Sequence, residues 1–342
     1  VNAIRGLFSS RHLQVFTSGA EWMVTGDPLT PETIQLKRQT RIGSPIGCYI
    51  PPRIVDGATL FVSRNLMELR EFLFTDVEQA YQSNDLSLFS QHMMQDPVDQ
   101  DYDSLRRHFY IVMGDGTLAA LCLYRSERVS AWSRLRTQGR FLNVCVVDQD
   151  VYVLVEREGR YFVELFDDTI NTDCALVGEE ENPSLIWRGL EHLEGQTVKI
   201  VGDGVVLQDR EVKEAQLLLS EPVYQIEVGL PYAHLLEPLA PSPQVTGFAA
   251  QGGRVRLVSL TFRLKDTQAL RLDVGHGMRD VALRRFSRTK LLGRMPEKFT
   301  GDISVRALGW HKNITKGLWS IEQDTPLPFS ILSVMEELNA NA

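Results

Sequence analysis

Hydrophobic and polar residues alternate with a period of two over much of this chain. The alternation is visible at Val151, Val153 and Val155, and again through "VRLVSLTFRL" (Val255 to Leu264). A period of two sends successive side chains to opposite sheet faces, so such runs read as strands with one buried and one wet face. "HFYIVMGDGTLAALCLYRSERVSAWSRL" (His108 to Leu135) predicts a meander: a run ending at Met113, a hairpin turn at Asp115–Gly116, a run from Thr117 to Tyr124, and a strand over Val129 to Trp132. "FLNVCVVDQDVYVLVEREGRYFVELF" (Phe141 to Phe166) repeats the plan, with turns at Asp148–Asp150 and Glu158–Gly159. Looser copies lie in "SRHLQVFTSGAEWMV", with a Ser-Gly turn, and "GATLFVSRNLMELREFLF", with an Arg-Asn turn.

Turn signals recur about every eight to twelve residues, the spacing of sandwiches, barrels and propellers. Repeated meanders favour propeller blades. Two helical exceptions are expected. "SNDLSLFSQHMM" (Ser83 to Met94) carries Leu86, Phe89 and Met93 at helical spacing behind Asn84 or Asp85 as a cap, and Asp103–His108 reads as a second short helix. The acidic run Glu179–Glu181 with Asn182–Pro183 reads as a boundary. Beyond it, Leu193 to Tyr232 forms a compact β unit with a hairpin at Asp203–Gly204. "HLLEPLAPSPQ" (His234 to Gln244) is a Pro-rich crossing into further long strands, and Pro326 and Pro328 place their segment at a sheet edge. The fold class is therefore all-β, with few short helices. A partial β-propeller spans 1–178, a small barrel-like insert 187–232, and a β-sandwich-like C-terminal domain 233–342. The first region holds roughly three incomplete blades, and a propeller needs about four to close. With a chain opening on Val1 rather than Met, the expectation is that an upstream segment completes the ring.

Composition adds limits. The 342 residues are 43% hydrophobic and 23% charged, as in an ordinary globular protein, with a net charge of -8. A net anion gains nothing from counterion release, which argues against a protein that grips nucleic acid by its phosphates. Cys48, Cys122, Cys145 and Cys174 are widely spaced and predict reduced cysteines, with Cys122 and Cys145 in the core. The sequence shows neither a membrane-spanning apolar run nor a signal peptide.

Candidate chemistry is sparse. Phosphate-binding, metalloprotease and nucleophile-elbow motifs do not occur. Ser18, with Glu21 three residues on and His12 across a hairpin, reads as a turn over a buried Trp22 rather than a relay. His276, between two glycines in "DVGHGMRD", reads as an exposed ring on a tight turn. Asp148/Asp150 and Asp167–Asp168 lack the ligand spacing of a calcium loop, and Asn313 is a sequon only in a secretory setting. The arginines stand out more. Arg far outnumbers Lys, with clusters at Arg38/Arg41, Arg106–Arg107, Arg134/Arg136/Arg140 and Arg284–Arg285/Arg288. Arg suits forked pairing with carboxylates, so Arg134, Arg136, Arg140, Arg284 and Arg285 are the candidate subunit-interface residues.

Taken together, the motifs resemble one family. "FTSGAEWMVTG", followed by "PLTPETIQLKRQTRIGS", is similar to the hallmark segment of tail proteins from short-tailed phages. "LFVSRNLMELREF" with "YQSNDLSLFSQHM", then "DGTLAALCLYRSERVSAWSRLRTQGRF", "LEGQTVKIVGDGVVL", "VGLPY" and "ITKGLWSIEQDTPLPFSILSV", resemble later blocks in the same order. The family is the tail nozzle, or tail tubular protein B, class, and the resemblance covers nearly the whole chain as its C-terminal portion. It implies a virion structural protein without catalytic residues or cofactors, made in the host bacterial cytoplasm. The implied subunit belongs to a homo-hexameric ring below a tail adaptor protein and beside tail fibre or needle proteins. DNA passes through that ring without specific binding, and the ring holds the genome until ejection. Long strands, Trp310, Trp319 and Arg–carboxylate pairs are the material expected at its closing contacts. The segment 193–232 is also similar to the β-rich half-domain of ubiquitin-activating enzymes, but holds no cysteine for thioester chemistry. Two other readings compete: a receptor- or glycan-binding tail component, and a propeller enzyme that degrades host-surface glycan.

Overall fold

A computed structural model describes residues 2–127, 129–241, 254–283, 297–307, 309–312 and 316–341. The protein is all-β, built of small antiparallel sheets. It divides into two compact units, Val1–Asp167 and Asp168–Ala342.

The first unit is four successive meanders. Strands β1 (Ile4–Ser9), β2 (Leu13–Thr17), β3 (Glu21–Thr25) and β4 (Gln35–Thr40) form the first sheet, and β5 (Arg53–Val55), β6 (Ala58–Val62), β7 (Leu69–Thr75) and β8 (Ala80–Asp85) the second. The third holds β9 (Pro97–Asp103), β10 (His108–Met113), β11 (Leu118–Tyr124) and β12 (Val129–Leu135). The fourth holds β13 (Arg140–Val147), β14 (Asp150–Arg157) and β15 (Arg160–Leu165). In each sheet the spatial order is the chain order.

The sheets stack face to face, which explains why some strands are apolar at every position. All five residues of β6 are buried. Leu60 and Val62 join a core with Phe109, Ile111 and Leu121 of the third sheet, whereas Phe61 turns the other way to meet Phe16 of the first. The third sheet is likewise packed on both sides: Tyr110 and Val112 meet Val151, Val153 and Val155 of the fourth. Polar straps tie each interface. Thr59 Oγ1 donates to Gln14 Oε1 at 2.6 Å, Arg53 Nε to Asp101 Oδ1 at 2.7 Å, and Val146 N to Asp101 Oδ2 at 2.8 Å. Arg107 spans from the third sheet to Asp56 at 3.0 Å, with its guanidinium 4.5 Å above the Tyr124 ring. The two end sheets differ on their outer faces. On the first, Leu7 and Leu36 of the flanking strands are more than half exposed, whereas Val15 and Val24 between them are buried and Trp22 is half-buried. On the fourth, Val147, Tyr161, Val163 (74% exposed) and Leu165 line the open face.

The second unit holds two cores. Strands β16 (Asp173–Arg188), β17 (Thr197–Gly202), β18 (Val205–Val206), β19 (Arg210–Glu211) and β20 (Gln216–Leu230) form one open sheet around Trp187, Ile200, Leu217 and Val228. Strands β21 (His234–Leu236), β22 (Arg254–Thr267), β23 (Arg271–Asp273), β24 (Arg279–Asp280), β25 (Phe299–Arg306), β26 (His311–Lys312), β27 (Ser320–Gln323) and β28 (Ile331–Asn341) complete the chain. Two sheets, β21-β27-β23-β24 and one centred on β22, share a core of Leu260, Phe262, Leu272, Trp319 and Ile321.

Several expectations need correction. The helix over Ser83–Met94 is absent. Its first residues extend β8, which pairs Arg70 with Asp85 and Thr75 with Ala80, and Asp85 Oδ1 accepts from Ser87 N at 2.8 Å. Phe89 is 95% exposed while Met93 and Met94 are buried, so the apolar stripe never forms; only a 3-10 turn remains, at Gln91–Met93. The second expected helix is the β9–β10 turn. Asp103 Oδ1 accepts from Leu105 N and Arg106 N, the bonds of a helix cap, but Arg107 then takes φ 55° and the chain reverses. The acidic run lies within a strand: β16 pairs with β20 at Glu179 and again at Ser184, and residues 180–183 bulge out between the two. Among the described residues the sheet after it stays open rather than closing into a barrel. The first unit holds three four-stranded meanders and a three-stranded one, where three incomplete ones were expected.

Candidate functional site

The most characteristic sequence stretch folds into a clasp. The β2–β3 hairpin turns through Thr17–Ala20, where Thr17 Oγ1 donates to Ala20 O at 2.6 Å and accepts from Ala20 N at 3.0 Å. Ser18 Oγ accepts from Ala3 N, and a Cβ on Gly19 would lie 2.6 Å from the Asn2 side chain. Glu21 is fully buried. Its carboxylate accepts from Gly43 N at 2.8 Å, Ile42 N at 3.3 Å and the Thr40 hydroxyl. Ser44 N then donates to Thr17 O at 2.9 Å. Gly43 takes φ 80°, and a Cβ there would meet Ser18 O at 2.5 Å. Burial pushes the Glu21 carboxyl above its ordinary 4.5, and the three hydrogen bonds only partly offset it. The His12 ring instead packs on Phe74 and Tyr81, with centroids 5.1 and 6.0 Å away. Trp22 is half-buried rather than buried.

Arg134, Arg136 and Arg140 do come together, around the β10–β11 turn. Arg134 Nη2 donates to His92 O at 3.0 Å and Arg140 Nη2 to Gly114 O at 2.9 Å. All three side chains are exposed. Asp115 lies among them, held by Thr117 N and Oγ1 at 2.9 and 2.7 Å. Burial pushes its carboxyl up, but those bonds and the Arg134 and Arg136 guanidiniums outweigh it, and the net direction is down. Arg284, Arg285 and Arg288 lie outside the described residues, as does Asn313. Arg106 and Arg107 are spent within the chain, on Asp103 and Gln149 O and on Asp56.

His276 is exposed on its turn as expected, with Asp273 Oδ1 accepting from the backbone N–H groups of Gly275, His276 and Gly277. Cys145 is exposed on β13 rather than buried, and all four cysteines are free. Trp310 is 44% exposed, but Trp319 is buried, its Nε1 donating to Glu336 at 2.6 Å. No group of three potential metal ligands, and no helix long and apolar enough to cross a membrane, occurs among the described residues. Sequence reasoning missed the Arg157–Glu164 pair, a nearly buried guanidinium bonded at 2.9 and 2.8 Å. It also missed the open face of β15, whose signal was the second apolar set Tyr161, Val163 and Leu165 interleaved with Phe162. No protein-family model matches this chain, and no curated protein matches it.

Proposed function

We propose that this chain is a structural subunit of a ring-shaped tail nozzle of a short-tailed phage, assembled as a hexamer and passing DNA without specific binding. The observation that carries the reading is the stack of four meanders whose two ends carry different apolar residues to solvent, Leu7 and Leu36 on the first sheet and Tyr161, Val163 and Leu165 on the fourth. A propeller closed by further blades covers both faces at once, and closed rings are built from such non-identical surfaces. The clasp at Glu21 supports the reading as well. The residues behind the family resemblance hold a turn rather than aim at a substrate, as a passive wall requires. The net charge of -8 keeps phosphate affinity low, so DNA slides.

The test is sedimentation velocity with negative-stain electron microscopy on the purified chain. Rings of six support the reading. A monomer that binds a glycan array supports the receptor reading instead, and one that lowers polysaccharide viscosity supports an enzyme.

A further inference from the structure

We infer that Arg134, Arg136 and Arg140 receive the acidic segment Glu179–Glu181, at the base and in the bulge of β16, of a second copy of this chain. The inference rests on the ring reading and names the contact that closes it. The acidic run, read from sequence as a linker, is a projection from a held strand. Glu179 pairs with Gln225 and Ser184 with Val223, so residues 180–183 of β16 loop out opposite the single residue Tyr224 of β20. Glu179 Oε1 accepts from Gln225 Nε2 at 3.0 Å, which fixes the base of the loop. Glu180 and Glu181 are exposed and make no ion pair among the described residues.

The arginine patch is its chemical complement. Two of its guanidiniums are anchored on backbone carbonyls and keep their remaining N–H groups for a carboxylate. Anchored arginines lose little further freedom on binding, and forked guanidinium–carboxylate pairs are among the stronger polar contacts. The backbone beneath is shaped for this. A Cβ on Gly116 would lie 2.8 Å from Arg140 Cβ, so only glycine lets Arg140 lie across the turn. Asp115, beside Arg134 and Arg136, and Glu156, the cross-strand partner of Arg140, set two carboxylates against three guanidiniums and leave an excess of one positive charge among these residues. Patch and bulge lie in different compact units, so a head-to-tail contact between copies uses each once per subunit.

The test is a charge swap read by sedimentation velocity and melting. R134E/R136E/R140E and E179R/E180R/E181R are each expected to melt as the wild type but to lose the ring, because like charges then face each other. The combined six-site swap is expected to regain it. If a triple variant fails to fold, Arg136→Glu alone is used, with assembly expected to weaken about tenfold or more. A wild-type ring indifferent to both triples, or unrestored by the swap while both triples stay folded, overturns this contact and leaves the ring reading standing. An arginine variant that assembles normally but loses retention of duplex DNA also overturns it, assigning the patch to nucleic acid. A wild-type chain that stays monomeric removes the ring reading and this contact with it.

Discussion

Replacing Glu21 tests whether the characteristic turn is a structural clasp. In Glu21→Ala the buried Gly43 N–H loses its 2.8 Å acceptor, at a cost of about 1–3 kcal/mol for an unmet buried donor. Ile42 N–H and the Thr40 hydroxyl are half-buried and recover part of their bonding from water, adding about 1 kcal/mol between them. Relief of the buried charge offsets some of this, leaving a net loss of about 2–3 kcal/mol. Glu21→Gln keeps the shape and removes the titration. The folded-state value of Glu21 lies above the unfolded 4.5, so the native state holds this proton more tightly than the unfolded chain. Stability from proton uptake is therefore complete below pH 4.5 and is lost as pH rises through the folded value. The advantage of wild type over Glu21→Gln should widen as pH falls from neutral towards 4.5. Urea unfolding across that range, read by amide exchange in β2–β4, measures it. An advantage that narrows on acidification would refute the reasoning, since it would mean that the hydrogen bonds outweigh desolvation.

Two further predictions concern the same unit. Gly43→Ala should cost about 3 kcal/mol or more in urea unfolding, because strain at φ 80° adds to a Cβ 2.5 Å from Ser18 O. Gly57→Ala, at φ 81° with open space around it, should cost only about 1 kcal/mol. Phe72→Ala should cost about 3–5 kcal/mol by the same assay. That ring is fully buried, stacked 4.5 Å from Tyr81 and edge-on to Phe16 at 5.5 Å.

The strands were legible in the sequence because alternation and turn chemistry agree. Asp115–Gly116 and Asp203–Gly204 sit at hairpin turns, and β22 alternates in two stretches, Val255–Leu257 and Leu260–Leu264, which change phase at a bulge between Leu257 and Ser259. The failures share a cause. Asp85 and Asp103 carry side chains that cap helices or close turns equally well, and only pairing with β7 and β10 decides between them. Glu179–Pro183 has the composition of a linker, yet hydrogen bonds on both sides carry β16 through it. Of the site, the gathering of Arg134, Arg136 and Arg140 was legible from their spacing. The role of Glu21 was not, since its three donors lie 19 to 22 residues away.

A cryo-electron microscopy reconstruction of the assembled particle tests the central claim most directly. The account predicts a closed ring with an axial opening that admits a DNA duplex, in which further β-sheet covers both the Leu7–Leu36 face and the Val163 face. A particle in which both faces remain bare to solvent, or a chain that forms no ring, would contradict it.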